Sequence, residues 1–138
     1  MPDKTFTLEV ITPDRRVFSD DQIVSVTLPG IEGYLGVLAN HEPLMTALAI
    51  GALDYRRADG TVDAMALTGG FVEIFDNKVT VLADVAEKRE EIDIERAENA
   101  VRRAEERMVS QAQDIDLERA RISLMRALNR LNVAKKQL

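Results

Sequence analysis

Over the first 84 positions, apolar and polar residues alternate with a period of two, and Pro, Gly, Asn and Asp repeatedly break the alternation. That is the pattern of antiparallel strands with one face buried and the other wet. Thr5-Phe6-Thr7-Leu8-Glu9-Val10 alternates and Pro13-Asp14 stops it. Gln22-Ile23-Val24-Ser25-Val26-Thr27-Leu28 alternates again up to Pro29-Gly30, and Gly33-Tyr34-Leu35-Gly36-Val37-Leu38 reads as a short strand interrupted by glycine. Stretches 48–57 and 61–68 read as the arms of a hairpin, with Asp59-Gly60 where the turn needs positive φ. Gly69-Gly70 predicts a further turn, after which 71–75 and 79–82 pair across Asp76-Asn77-Lys78. Many short strands at such spacing predict a sandwich or flattened barrel.

After Ala83 the pattern changes within a few residues. Gly and Pro vanish, and Glu, Arg and Ala dominate to the C-terminus, a helical composition. Ile94, Ala97, Val101, Ala104 and Met108 form one apolar stripe, and Leu117, Ala120, Leu124, Leu128, Leu131 and Leu138 a second. The polar Ser110-Gln111-Ala112-Gln113-Asp114 between them is short, so the stripes are expected to face each other as an antiparallel hairpin. The fold class expected is therefore α+β: a β-sandwich or flattened barrel over 1–84, a linker over 85–91 and a two-helix hairpin over 92–138. Because the first stripe is rich in alanine, which buries little area, the hairpin should depend on what it docks against.

A six-residue cassette repeats: Ile92-Asp93-Ile94-Glu95-Arg96-Ala97 returns as Ile115-Asp116-Leu117-Glu118-Arg119-Ala120. Each copy suits a helix start, with Asp as N-cap, the apolar residue before it as staple and Glu facing the positive end of the helix dipole.

Composition narrows the chemistry. The chain has 138 residues, one domain's worth, no Cys and one His, which removes disulfides, thiolate metal sites and Cys nucleophiles. That histidine, His41, has no Ser or Cys close by in sequence, so a turn or interface role is expected of it. No phosphate-binding Gly-x-x-x-x-Gly-Lys-Ser/Thr is present, so ATP hydrolysis by this chain is not expected. No signal peptide or membrane span is visible, and the expected location is cytoplasmic. Charge is uneven: 119–138 carries six bases (Arg119, Arg121, Arg126, Arg130, Lys135, Lys136) and no acid, in a chain of net charge -6. A basic end on an acidic protein points to an anionic partner, and nucleic acid is the weakest candidate because the acidic remainder repels a phosphate backbone.

Four strings, in this order and spacing, resemble the epsilon subunit of bacterial F-type ATP synthases: Val10-Ile11-Thr12-Pro13-Asp14, Gly33 to Leu38 leading into Asn40-His41-Glu42-Pro43-Leu44, Gly69-Gly70-Phe71-Val72-Glu73, and Val79-Thr80-Val81-Leu82-Ala83. The resemblance covers essentially the whole chain. It implies a non-catalytic subunit of the central stalk, beside the gamma subunit, peripheral on the cytoplasmic face of the bacterial cell membrane. Loops around Gly33, Tyr34 and His41 would face the c-ring. Mobile C-terminal helices would inhibit ATP hydrolysis when extended towards the alpha and beta subunits of the catalytic head, with Arg119, Arg121, Arg126 and Arg130 meeting acidic surfaces there. Some relatives bind ATP on the folded hairpin as a regulatory ligand. Their motif matches Ile92, Asp93, Arg96 and Ala97, with Glu87 upstream, Arg103 two turns on, and Arg126 and Arg130 on the second helix; Glu98 departs from the Lys that ATP-binding relatives often carry. Set against this is a free-standing ATP-sensing or adaptor module whose hairpin binds an acidic protein.

Overall fold

The structure, a computed structural model, describes residues 4–110 and 117–137. Seven strands come first among the described residues: β1 (Phe6–Ile11), β2 (Arg16–Gly30), β3 (Gly33–Leu38), β4 (Leu44–Arg57), β5 (Val62–Phe75), β6 (Lys78–Ala83) and β7 (Ala86–Lys88). A 3-10 turn at Arg89–Glu91 leads to α1 (Ile94–Ser110) and α2 (Leu117–Ala134). No described helix is long and apolar enough to cross a membrane. The architecture is the expected β-sandwich or barrel followed by two helices.

Neighbours in the sheet run β1-β6-β5-β4-β2-β3, and β1 also pairs with β2. That last pairing closes the ring, with β1 antiparallel to β2 (Val10 opposite Phe18) and parallel to β6 (Val10 opposite Val81). Closure hides the edges of the five ring strands, and β3 is left as an edge beside β2. The alternation seen in sequence fills the interior: Leu8, Val26, Leu53, Leu67, Val72 and Val81 are all essentially buried.

Three strands run longer than the alternation indicates, and on two of them, β4 and β5, the parity that faces inward reverses part-way along while their mutual register stays continuous. On β5, Met65 and Leu67 point into the core, yet so do Val72 and Ile74, so the inward set changes from odd to even between them. Gly69 (φ 109) and Gly70 (φ 126) make that change. They do not end the strand as expected; they bend it, and the expected turn is a corner of the barrel. A Cβ on Gly70 would stand 2.1 Å from the Leu82 carbonyl oxygen, so no side chain fits. β4 makes the same switch between Leu48 and Leu53. The true turn follows at Asp76 (φ 50) and Asn77 (φ 60), where Asn77 Nδ2 donates to the Thr5 carbonyl at 2.9 Å.

Within the stretch 85–91, expected as a linker, residues 86–88 join the barrel wall and 89–91 form the 3-10 turn. Ala86–Lys88 pairs antiparallel with β5, Met65 opposite Lys88, and Ala86 is buried in the core. With three residues and one apolar side chain inward, β7 is too short for alternation to reveal it.

Gly70→Ala is expected to destabilise by on the order of 2–3 kcal/mol through backbone strain and the clash. Gly60→Ala, at φ 90 with open space around it, should lose only about 1 kcal/mol. Urea unfolding of the two variants checks the ranking, and equal midpoints would remove the corner role of Gly70.

Candidate functional site

The second helix lies on the outer face of the barrel. Ala52, Ala64 and Ala66 of β4 and β5 form a buried cluster with Ile92, Ala97 and Val133, against which Leu131 and Ala134 pack. Small side chains let the helix come close. Lys135 Nζ lies 3.5 Å from Glu98 Oε2, which places the end of α2 beside the start of α1 and makes the pair antiparallel.

The helix stripes differ from expectation in one respect. Leu117 is 52% and Leu128 39% exposed, while Ala127 and Val133 are buried. Ile94 is likewise 42% exposed. The second helix must satisfy two surfaces, α1 and the sheet, and a helix with two partners turns a different arc inward from one that faces only its hairpin mate. Leu138 and the connection 111–116 lie outside the described residues.

Polar contacts ring the alanine floor. Arg130 binds Glu87 on β7 through both Nε (2.6 Å) and Nη2 (3.1 Å). Lys136 Nζ meets Asp54 at 2.8 Å, and Arg89 Nε meets Asp63 at 2.8 Å. The Asn129 amide donates to the main-chain oxygens of Gly51 (3.0 Å) and Leu67 (3.2 Å).

The residues expected to hold a nucleotide fall into two sets. One set is occupied with structural work. Asp93 caps α1, its Oδ1 accepting from the Arg96 N–H at 3.1 Å, and its carbonyl accepts from Ala97 at 3.0 Å. Ile92 and Ala97, the staple positions, are both buried in the docking cluster. Glu87 and Arg130 are brought together and neutralise each other. The other set is open: Arg96, Arg103 and Arg126 are exposed and make no ion pair among the described residues. Glu98, the departure, spends its charge on Lys135.

Among the bases expected to make the inhibitory contact, Arg121 pairs with Glu118 one turn back at 2.7 Å, and this hydrogen bond raises its pKa further. Arg119 is exposed on the first turn of α2. The second cassette is split: Ile115 and Asp116 lie outside the described residues, and Leu117 to Ala120 open α2.

Gly33 (φ 131) and Tyr34 begin the edge strand β3, and His41 follows its other end, so the length of the strand separates them. Tyr34 is exposed, although its hydroxyl accepts from the Ala52 N–H at 3.5 Å. The His41 ring Nδ1 sits 2.7 Å from the Glu42 carbonyl.

Sequence reasoning passed over one surface. Register pairs place Ala47, Phe71, Leu82 and Ile11 in a row across β4, β5, β6 and β1. Phe71 is 56% exposed and Leu82 52%, beside an open groove of about 400 Å³ lined by Ile11, Pro13, Gly70, Phe71 and Leu82 among others. The signal was present, since in Phe71-Val72-Glu73-Ile74-Phe75 both alternating sets contain large apolar residues, and only one set can fill the core.

Comparison with known proteins follows the same division of the chain. The model of the ATP synthase delta/epsilon chain beta-sandwich domain matches residues 5–89, and that of the delta/epsilon long alpha-helix domain matches 90–135. An ATP synthase epsilon chain of Pelotomaculum thermopropionicum is 55% identical over 108 residues, covering 78% of this chain and 79% of its own. One from Syntrophomonas wolfei is 44% identical over 138 residues, the whole of both chains. Among solved structures, a chain of the Euglena gracilis mitochondrial ATP synthase, in an assembly of OSCP, F1 and c-ring, superposes with a TM-score of 0.77 at 27% identity, over 88% of this chain and 76% of that one.

Asp93→Ala is expected to lower the stability of α1 by about 1 kcal/mol through loss of the N-cap. Amide hydrogen exchange at the first turn of α1 reads this directly, and unchanged protection there would mean that the cap is not holding the helix start.

Proposed function

The chain belongs to the ATP synthase delta/epsilon chain family, and from that membership we propose that it serves as a non-catalytic central-stalk subunit whose C-terminal hairpin restrains ATP hydrolysis. On this reading the barrel is the fixed module. Its apolar row through Phe71 and Leu82 seats against gamma, and the β3 side, with Gly33, Tyr34 and His41, faces the c-ring. Membrane association is indirect, through the complex on the cytoplasmic face.

The observation that carries the regulatory half is the charge pairing of the docked hairpin. Arg121, Arg130, Lys135 and Lys136, all in 119–138, pair with acids of this same chain. Two of these pairs, Arg130 with Glu87 and Lys136 with Asp54, tie α2 to the barrel. Leaving the sheet frees those cations for acidic surfaces on the alpha and beta subunits, with Arg119, Arg121 and Arg126 on the same helix. Partly exposed pairs are weak, roughly 0.2–1 kcal/mol each, so exchanging them for external partners lies within reach of a regulatory signal.

ATP is the proposed signal. Arg96, Arg103 and Arg126 supply cationic groups without ion pairs among the described residues, which suits a triphosphate. Arg130, Glu87 and Asp93 border the same hairpin and base, where the ligand would stabilise the folded form by RT ln(1 + [L]/Kd), about 2.7 kcal/mol at 100 times Kd.

Because β7 belongs to the barrel, the informative truncation falls after Glu91 and not earlier. The truncated subunit should fold, assemble with gamma and leave ATP hydrolysis by the reconstituted enzyme unrestrained. Inhibition equal to that of the full chain would defeat the regulatory reading. Calorimetry of the isolated subunit tests the ligand: Arg103→Ala should weaken ATP binding about tenfold, the loss of one charge-assisted contact, and the absence of binding by the unaltered chain at millimolar ATP would refute it.

A further inference from the structure

The alanine floor cannot by itself choose a position for α2, because methyl groups of equal size offer a sliding helix nearly equal contacts. Something directional must choose. The bonds of Asn129 are directional and run from α2 to the main chain of the sheet, whereas the ion pairs of Arg130 and Lys136 join the ends of flexible charged side chains.

Gly51 and Leu67 are register partners on adjacent strands, so one side-chain amide reaches both of their carbonyls. The Leu67 side chain is fully buried in the barrel, and Gly51 has none. On the outer face the main chain is therefore bare at this pair, next to the Ala52–Ala66 pair that floors the helix. An amide has two N–H donors, and Asn129 spends both on these two oxygens.

We propose that Asn129 is the positioning residue of the hairpin: its amide, held by the Gly51 and Leu67 carbonyls, fixes where α2 sits and sets the balance between docked and undocked helices. The proposal rests on the reading above that the hairpin leaves the sheet. A shift of α2 by one residue would carry the amide off the carbonyl pair, so the docked state is a single register.

The test compares side chains of nearly equal shape. Asp has the outline of Asn but, ionised, only accepts, so it sets negative oxygens against two carbonyls; Leu removes both donors but does not repel the carbonyls. The chain contains no Cys, so spin labels can be attached to Thr61→Cys on the β4–β5 turn and Asn132→Cys on α2, both exposed positions. Distances between the labels are measured in the full-length subunit across a urea series that populates both states. The docked-to-undocked ratio should fall in the order Asn, Leu, Asp, by about tenfold for Asn129→Leu, as for loss of two hydrogen bonds, and further for Asn129→Asp, with the amide spectrum of β1–β6 unchanged. A distance distribution for Asn129→Asp equal to that of Asn129 overturns the proposal, and so does a deficit shared equally by Leu and Asp that comes with unfolding of the barrel. Hydrolysis by the assembled enzyme separates the two readings. If position 129 moves the docked fraction and hydrolysis does not follow, the amide contact stands and the inhibitory role of the hairpin falls.

Discussion

Helix α2 meets the barrel over Ala52, Ala64 and Ala66, and a floor of methyl groups lets a helix come close while giving it little to hold. Burying a methyl-sized group is worth about 0.8 kcal/mol, against about 1.5–3 kcal/mol for a Leu or Ile. Replacing the floor by leucines would weld the helices to the sheet. As built, retention of the hairpin is divided among the alanine methyls, the buried Ile92 and Val133 side chains, one amide and partly exposed ion pairs. None of these is strong alone, and a contact of this kind can be left and re-formed.

The barrel is constructed to the opposite end. Pairing of β1 with both β2 and β6 closes the ring, and the Gly69-Gly70 corner lets one strand, β5, serve two walls. On one wall its outward positions are Ala64 and Ala66, covered by α2; past the corner they are Phe71, Glu73 and Phe75, which remain open. A single strand thus supplies a surface covered by an element of the same chain and, past the corner, an open one; on the proposed reading the first is for a detachable hairpin and the second for a stalk neighbour. The corner keeps the two apart, so movement of the hairpin need not disturb the other face.

Much of this was legible in the residues. The alternation through Phe6, Leu8 and Val10 and the Asp59-Gly60 turn follow from local rules, and so does the switch to helix after Ala83. The corner was misread as a turn because Gly-Gly signals a departure from regular strand without saying whether the chain reverses; only the parity of Leu67 and Val72 decides, and that requires knowing the inside of the barrel. β7 and the rotation of α2 were hidden for a related reason. Ala86 and Ala127 are inward because of partners distant in sequence, and periodicity records a helix's apolar faces without naming what covers them. In the candidate site, the Asp93 cap was readable as a local pattern. The bidentate Glu87–Arg130 contact and the reach of Asn129 to Gly51, 78 residues away, were not.

The uneven charge of the chain gives these contacts different sensitivities. Segment 119–138 has no acid of its own, so each of its ion pairs draws on an acid elsewhere: Glu118, Glu87, Glu98 and Asp54. Docking is in that sense internal neutralisation, and on the proposed reading an acidic partner surface competes for the same cations by the same force. Ionic strength screens both sides of that competition, since the internal pairs are partly exposed and an approaching surface is met across water. A neutral amide bonded to two carbonyls carries no net charge to screen. As salt rises, the ion pairs and the external attraction fade together, while the amide contact and the alanine floor persist. On the proposed reading, the residual preference is then for the docked hairpin in its one register, so the neutral contacts define the resting geometry and the charged ones determine how readily a partner or ligand draws the helices away.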